Sequence, residues 1–183
     1  LLAEFSLIVP DLETKMWLIR ARLIGIVFLG PTIFYLNSTL HGDGRFFRHA
    51  WIRPLLFLPS LIFLFLAWAP GTRELYLTGF ELVTDLGGST ARFHRGPIVQ
   101  FQLAWNYILI AGALYFPLIA VIRNRNLQRY QALWSLLGTL IPYSVDWLAM
   151  LFGWVAHWYH LTPGMSCFMA VFFAVALFRY GLL

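Results

Sequence analysis

The sequence contains few charged side chains. Only 11% of its 183 residues are Asp, Glu, Lys or Arg, whereas a soluble globular domain carries about 25%. So few charges do not cover a water-facing surface, and a chain so poor in charge and rich in apolar residues is not a disordered one. The sequence therefore argues against a soluble enzyme and against a disordered protein.

Cysteine and lysine are scarce as well. Cys167 is the only cysteine, which excludes an intramolecular disulfide framework and any multi-cysteine metal site. The net charge is +5 and the pI is about 9.7, but nearly all of the basic residues are arginines scattered between apolar runs. A nucleic-acid-binding domain would cluster such charges on one face, so we expect no nucleic-acid partner.

Long apolar runs are abundant, with 60% hydrophobic residues and a mean hydropathy of +0.72. A helix that crosses the membrane needs roughly 20 mostly apolar residues, and its backbone must be satisfied within the helix. Five runs qualify or nearly so: Leu23–Gly42, Pro54–Thr72, Ile98–Ile122, Tyr130–Ala156 and Leu161–Phe178. The sequence predicts an all-α, polytopic transmembrane helix bundle with five full spans. We expect residues 1–10 to end a partial sixth span, as in a fragment of a larger protein.

Arginines in the short loops predict the orientation. The acid-poor loops hold Arg45, Arg48 and Arg53, then Arg123, Arg125 and Arg129, and Arg179 follows the last run. With five spans these positions lie on one side, which the positive-inside rule places in the cytoplasm. We expect a multi-pass protein of the inner (cytoplasmic) membrane, in contact with membrane lipids, whose C-terminus is cytoplasmic.

The longest polar segment lies between the second and third full spans. Phe80–Thr84 and Thr90–His94 are strand-like and flank Asp85–Ser89, which contains two glycines. Glycines between such runs predict a short hairpin, here on the external side, with a floppy loop as the alternative. The chain has no internal repeat and no low-complexity linker, so we expect one transmembrane domain over residues 1–183.

Polar side chains within the predicted spans are candidate functional residues, because a charge in the bilayer costs about 2.5–3.5 kcal/mol on insertion scales. The helical rise places six polar side chains at one level in the outer half of the membrane: Glu4, Arg20, Arg22, Gln102, Asn106 and Asp146. Tyr143 and Trp147 flank Asp146. The predicted ligand-binding residues are Asp146, Arg20, Arg22, Asn106, Gln102, Tyr143 and Trp147. In this hypothesis Arg20 or Arg22 is the counter-charge of Asp146. Two alternatives stay open: buried contacts that fix helix packing, and arginines that extend to the membrane interface.

Several short motifs occur in order along nearly the whole chain. They are Pro10-Asp11, Lys15 with Trp17, Gly25, Pro31, Phe34-Tyr35-Leu36, Gly96-Pro97, Trp105 with Tyr107, Arg129-Tyr130-Gln131-Ala132, Gly138, Pro142, Leu161-Thr162-Pro163 and Ala176–Leu183. Their order resembles the N-terminal seven-helix sensor region of bacterial and archaeal histidine kinases and diguanylate cyclases. By this alignment the first helix and most of the second are absent here. Asp146 stands where the family often has a neutral amide, so we expect the sensed cue to differ.

The resemblance implies a membrane sensor without its output domain. Such a region detects a small ligand or a membrane-associated cue, passes the signal through its last helix to a cytoplasmic output domain, and forms a homodimer in a kinase. The sequence contains no catalytic triad, no HExxH motif and no phosphate loop, so we expect no catalytic residues, metal or cofactor in this chain. His157 and His160 lack a neighbouring carboxylate, which favours an interfacial position over a metal site.

A second hypothesis comes from a different class of protein. Eight Trp, eight Tyr and seventeen Phe residues could pack against lipids, pigments or quinones in a larger respiratory or photosynthetic complex. In that case the chain is an accessory structural subunit, and its partner is another membrane subunit. A kinase or cyclase output domain after Leu183 would support the sensor, whereas a stop codon would support the subunit.

Overall fold

The computed structural model of the chain describes residues 12–42, 47, 49, 51–85, 88–125, 127–151, 169–176 and 178. Its elements are helices α1 (Leu12–His41), α2 (Ile52–Trp68) and α3 (Arg73–Tyr76), strands β1 (Leu77–Asp85) and β2 (Gly88–Arg95), and helices α4 (Pro97–Arg123) and α5 (Leu127–Leu151). Residues 169–176 are also helical. The described part of the chain is therefore mainly helical, with one antiparallel hairpin.

The first two helices differ from the predicted spans mainly at one end each, and by one or two residues at the other. Helix α1 begins at Leu12 rather than Leu23, so it includes both Arg20 and Arg22. Helix α2 ends at Trp68 rather than Thr72 because Pro70 follows. The residue before a proline avoids helical backbone, and Ala69 is accordingly extended, with φ −67° and ψ 130°.

The other predicted spans agree with helices where the structure describes them. Helix α4 matches the third run to within one residue at each end, and α5 begins at Leu127, three residues before the fourth. Of the fifth run, residues 169–176 are helical, and residues 152–168 lie outside the described residues. Two segments of the described chain, Met16–His41 and Pro97–Arg123, are long and apolar enough to cross a membrane.

The predicted hairpin is present, but its strands are longer than expected. Strands β1 and β2 pair antiparallel from Leu77 opposite Arg95 to Asp85 opposite Gly88, with an irregularity between Thr78 and Glu81. The strands extend into the segment Asp85–Ser89 that was predicted to separate them, because Asp85 pairs with Gly88, the residue three further along the chain. The glycine therefore belongs to the start of β2. The short helix α3 before the hairpin was not predicted.

The chain packs as two compact units. Unit 1 comprises Leu1–Thr32 and His49–Leu109, and unit 2 comprises Ile33–Arg48 and Ile110–Leu183. Helices α1 and α4 contribute residues to both. The expectation of a single domain over residues 1–183 stays a prediction.

Unit 1 has a small apolar core around α3. Tyr76 is 1% exposed and packs with Ala67 and Val99. Its hydroxyl group is buried and has no hydrogen-bond partner, and burial raises the pKa of this phenol above its ordinary value. The Gly96 N–H donates a hydrogen bond of 2.8 Å to the Tyr76 carbonyl oxygen. This bond ties the end of the hairpin to α3 just before α4 begins.

In unit 2 the helices approach one another at glycines. A Cβ atom on Gly112 of α4 would lie 2.9 Å from the Phe34 ring of α1, and one on Gly138 of α5 would lie 2.8 Å from the Cβ atom of Phe172. Such distances are shorter than real side-chain contacts, so each glycine permits the neighbouring aromatic residue to pack on the helix backbone. Small residues serve this purpose at helix contacts in membranes.

Candidate functional site

The described helices bury polar side chains and expose apolar ones. The buried polar residues are Asn37, Ser38, Ser60, Gln102, Asn106, Gln131, Ser135 and Thr139. Large apolar side chains lie on the surface, for example Phe65 and Phe101, each 69% exposed, and Ile122, 71% exposed. A soluble protein mostly does the reverse. In lipid, by contrast, polar groups need partners inside the protein and apolar groups can face the acyl chains.

In unit 1 the first polar contact joins α2 to α1. The Ser60 hydroxyl group donates a hydrogen bond of 2.9 Å to the Val27 carbonyl oxygen, and both residues are fully buried. This carbonyl lacks its usual helical donor, because Pro31, four residues later, has no backbone N–H. Ser60 therefore replaces the hydrogen bond that Pro31 removes, and it holds α2 against α1.

The second contact joins α4 to the same turn of α1. The Asn106 side-chain amide donates a hydrogen bond of 3.1 Å to the Ile26 carbonyl oxygen. Gly30 makes the approach possible, since a Cβ atom there would lie 2.7 Å from Asn106 Oδ1 and 3.1 Å from its Cα. One turn of α1 is therefore held from two sides, by Ser60 and by Asn106.

Polar atoms near Asn106 retain unused hydrogen-bonding capacity. Asn106 Oδ1 and Trp105 Nε1 are both buried without a hydrogen-bond partner. Gln102 lies one turn before Asn106 on the same face of α4 and is 2% exposed. We call Ser60, Gln102, Trp105 and Asn106, with the two α1 carbonyls, the Asn106 cluster. Asn106 Oδ1 is a free acceptor and Trp105 Nε1 a free donor, on adjacent residues of α4.

Among the described residues, Arg20 contacts Trp17. Its guanidinium carbon lies 5.6 Å from the centre of the Trp17 ring, and the side chain is half-buried. Helical side chains tilt toward the N-terminus, so Arg20 extends back along α1 to the residue three positions earlier. This geometry favours the alternative in which Arg20 extends to the membrane interface.

The structure brings together two of the seven predicted ligand-binding residues, Gln102 and Asn106. Tyr143 is half-buried on α5 and belongs to unit 2. The side chains of Arg22, Asp146 and Trp147 lie outside the described residues, although their backbones belong to α1 and α5. Glu4, His157 and His160 also lie outside them. The pairing of Asp146 with an arginine stays a prediction.

A polar row in unit 2 was missed by the sequence reasoning. Gln131, Ser135 and Thr139 follow one another at intervals of four on α5, and all are buried. The Asn37 amide of α1 donates a hydrogen bond of 3.3 Å to Thr139 Oγ1, and Thr139 donates one of 2.9 Å to the Ser135 carbonyl oxygen. The i, i+4, i+8 spacing was a usable signal. It was overlooked because only charged and aromatic positions of this helix were weighed.

The same row reaches the helical residues 169–176. Gln131 Nε2 donates a hydrogen bond of 3.4 Å to the Ala176 carbonyl oxygen, while the Trp134 and Phe172 rings lie 5.3 Å apart. Asn37 Oδ1 and Ser135 Oγ are buried without hydrogen-bond partners. Hydrogen bonding between helices is the chemistry that these groups offer. Within the described ranges, no three His, Cys, Asp or Glu residues are grouped as a metal site.

Comparison with known proteins gives one match. A family model described as the N-terminal 7TM region of histidine kinase matches residues 1–183. No curated protein and no solved structure gives a significant match.

Proposed function

The chain belongs to the family of N-terminal seven-transmembrane regions of histidine kinases, and on this premise we propose that it detects a small ligand or membrane-associated cue within its helix bundle. Membership makes the chain a polytopic helical membrane domain and the input region of a two-component signalling protein. The chain covers the sensor region, without a catalytic domain. The family implies linkage to a cytoplasmic kinase output.

The family match over residues 1–183 is the observation that carries this proposal. It favours a sensor over the accessory subunit of a respiratory or photosynthetic complex. The surface supports a membrane location, which both hypotheses share, because apolar residues on α2 and α4 face outward and can contact lipid directly.

We place ligand binding at the Asn106 cluster. A sensor pocket needs polar groups that are shielded from water and not fully used by the protein. Asn106 Oδ1 and Trp105 Nε1 meet this requirement, and Gln102 adds an amide one turn away. In our proposal the cue enters from the outer side of the membrane. Arg22, Tyr143, Asp146 and Trp147 stay predicted ligand-binding residues, and we propose Arg22 rather than Arg20 as the counter-charge of Asp146 because Arg20 contacts Trp17.

Signal transmission is proposed to use the last helix. A ligand shifts an element with two arrangements by binding one of them better. The final helix is the candidate element, because in this family the motif at Ala176–Leu183 joins the membrane region to the cytoplasmic part. We propose a cytoplasmic C-terminus and a homodimeric receptor, in which a movement of this helix reaches the output of both protomers.

Substitutions in the cluster test the ligand site. We expect Gln102→Leu to change the reporter output of the receptor at least tenfold, because a hydrogen bond to a ligand amide or hydroxyl group is lost in a buried place. Gln128→Leu on α5 is the matched control, since Gln128 is exposed. Membrane expression and thermal stability are measured for both. Normal signalling by Gln102→Leu at normal expression would leave the cluster with a packing role only.

Asp146 is tested separately. Asp146→Asn keeps the shape and deletes the charge, and we expect loss of signalling if Asp146 pairs with Arg22, since an uncompensated buried charge costs about 3–5 kcal/mol. The variant Arg22→Asp/Asp146→Arg should then recover part of the output. If Asp146→Asn signals normally at normal expression, Asp146 is not part of the site.

The transmission step is tested by inserting one to four alanines between Phe178 and Arg179. A helix that turns or shifts couples by its rotational phase, with 3.6 residues per turn. We expect output to change sharply with one or two inserted residues and to return toward the wild-type level with four. Output that is independent of the number inserted would contradict transmission through this helix.

A further inference from the structure

An apolar groove of about 420 Å³ lies between α1 and α2 on the surface of unit 1. It is lined by Ile24 of α1 and by Leu61, Leu64, Phe65 and Trp68 of α2. The lining side chains remain open to the surroundings, with exposed fractions of 42% for Ile24, 51% for Leu61 and 69% for Phe65. Because the chain belongs to a membrane family, this groove faces acyl chains rather than water.

One end of the groove carries the features of a membrane–water boundary. Trp68 is the last residue of α2, and its ring lies edge-on to that of Trp17, with the ring centres 5.5 Å apart. Trp17 is the second residue of the apolar segment that begins at Met16. Tryptophans concentrate at this boundary. Ile24 lies seven residues further along α1, so the groove continues into the hydrocarbon for about 10 Å.

Arg20 places a positive charge at the same end. Its guanidinium group lies over the face of Trp17, and within the described residues it makes no ion pair. A contact at this distance leaves the guanidinium N–H groups that point away from the ring available to a ligand. Those groups match the spacing of phosphate oxygens. The charge, the two tryptophans and the groove therefore lie next to one another, in that order.

We propose that this groove binds one acyl chain of an anionic phospholipid, whose phosphate group is held by Arg20 beside Trp17 and Trp68. Acyl chains gain no hydrophobic energy on moving from lipid to a groove, because both surroundings are apolar. Selectivity must therefore come from the headgroup. One basic residue near the membrane surface predicts a preference of about fivefold for an anionic over a zwitterionic lipid. This site is separate from the Asn106 cluster and does not depend on the sensor's cue.

The headgroup contact is tested with phosphatidylglycerol and phosphatidylcholine as competing lipids. Bound lipids are counted by native mass spectrometry of the purified full-length receptor. We expect one retained phosphatidylglycerol per protomer in the wild type, and loss of its roughly fivefold preference in Arg20→Gln. The matched control is Arg125→Gln, which removes an exposed charge between α4 and α5 and should keep the preference. Arg20→Lys keeps the charge but lacks the planar guanidinium group, and it should retain part of the lipid preference.

The acyl-chain contact is tested by filling the groove. Leu61→Trp should lower retention of both lipids, because the larger side chain occupies the space between the helices. Leu58→Trp places the same side chain on α2 at a position that is 47% exposed and does not line the groove, so it should have no effect. Thermal unfolding confirms that each variant is folded. Equal lipid retention in wild type, Arg20→Gln and Leu61→Trp would mean ordinary annular lipid and would overturn the proposal.

Discussion

At the scale of single residues, several side chains in this bundle donate hydrogen bonds to backbone carbonyls of a neighbouring helix. Ser60 bonds the Val27 carbonyl that Pro31 leaves without a donor, and Asn106 bonds the adjacent Ile26 carbonyl. In lipid no water can take over either role. This explains why Ser60 and Asn106 are fully or almost fully buried. Their substitution should therefore have a measurable effect on stability.

We predict that Ser60→Ala destabilises the protein by about 1–3 kcal/mol, because a buried carbonyl oxygen loses its donor. Ser144→Ala is the matched control: the Ser144 hydroxyl group bonds the Ile141 carbonyl of its own helix and is exposed. It should change stability by less than about 0.5 kcal/mol. Thermal or denaturant unfolding in detergent measures both. Equal effects of the two substitutions would argue against the role of Ser60 at Pro31.

Tyr76 gives a prediction about pH. Its phenol has a raised pKa because it is buried, so above pH 10 the folded state keeps a proton that the unfolded state has lost. The contribution of Tyr76 to stability should therefore be constant below about pH 10 and fall as pH rises further. Tyr76→Phe should leave the melting temperature at pH 8 unchanged or slightly higher, since no hydrogen bond is lost. It should also weaken the decline above pH 10, and an undiminished decline would contradict the assignment.

At the scale of elements, close approach between helices depends on glycines at particular places. Gly30 faces Asn106 of α4, whereas a Cβ atom on Gly25 of the same helix would meet nothing within 4 Å. The two glycines therefore differ in what surrounds them, although both are helical residues of α1. Gly25 is one of the motif residues that carry the resemblance to the sensor family, so a glycine in that series need not mark a contact between helices.

We predict that Gly30→Ala destabilises the protein by about 1–3 kcal/mol, because the added methyl group pushes against the Asn106 backbone. Gly25→Ala should be neutral or stabilise by up to about 1 kcal/mol through helix propensity. Unfolding of both variants under identical conditions makes the comparison. A neutral Gly30→Ala would show that α1 and α4 can separate slightly at no cost.

Helices α1 and α5 supply a second element-scale prediction. Asn37→Leu and Thr139→Val each break the hydrogen bond between these helices. In a double-mutant cycle we expect a coupling energy of about 0.6 kcal/mol, and at most about 1.7 kcal/mol, as for other hydrogen bonds between membrane helices. The pair Asn37→Leu and Ser144→Ala, which do not interact directly, is the additive control. A coupling energy of zero would mean that the bond adds nothing to stability.

At the scale of the whole molecule, the remaining prediction concerns topology. The arginine-rich loops predict that Arg45 and Arg123 face the cytoplasm and Asp85 faces outward. Single cysteines at positions 45, 123 and 85, in a background with Cys167 replaced by serine, can be labelled in intact cells with an impermeant reagent. We expect label at 85 only, and permeabilised cells serve as the control for reactivity. Label at position 123 in intact cells would reverse the orientation.

The sequence by itself determined the class of the protein and most of its helices. Membrane helices can be read from apolar length because lipid requires each helix to satisfy its own backbone. For the same reason α4 and α5 begin close to their predicted starts, and Pro70 explains the early end of α2. The hairpin was also predicted from a local feature of the sequence, because glycines mark a turn. The register of its strands was not predicted.

Only the tertiary structure decided which polar residues meet. Asn106 was predicted as a candidate, but its contact with Ile26 joins residues that are 80 positions apart. Ser60 replaces the hydrogen bond lost at Pro31, and this contact joins residues that are 33 positions apart. Arg20 or Arg22 was predicted as the counter-charge of Asp146, and that pairing stays a prediction; the contact that Arg20 makes among the described residues is with Trp17. Thr139 and Ser135 were not predicted, because the prediction rested on charged and aromatic positions of α5. Apolar length is a property of one helix, whereas each of these contacts depends on which faces of two helices pack together, and helix packing is a property of the folded chain alone.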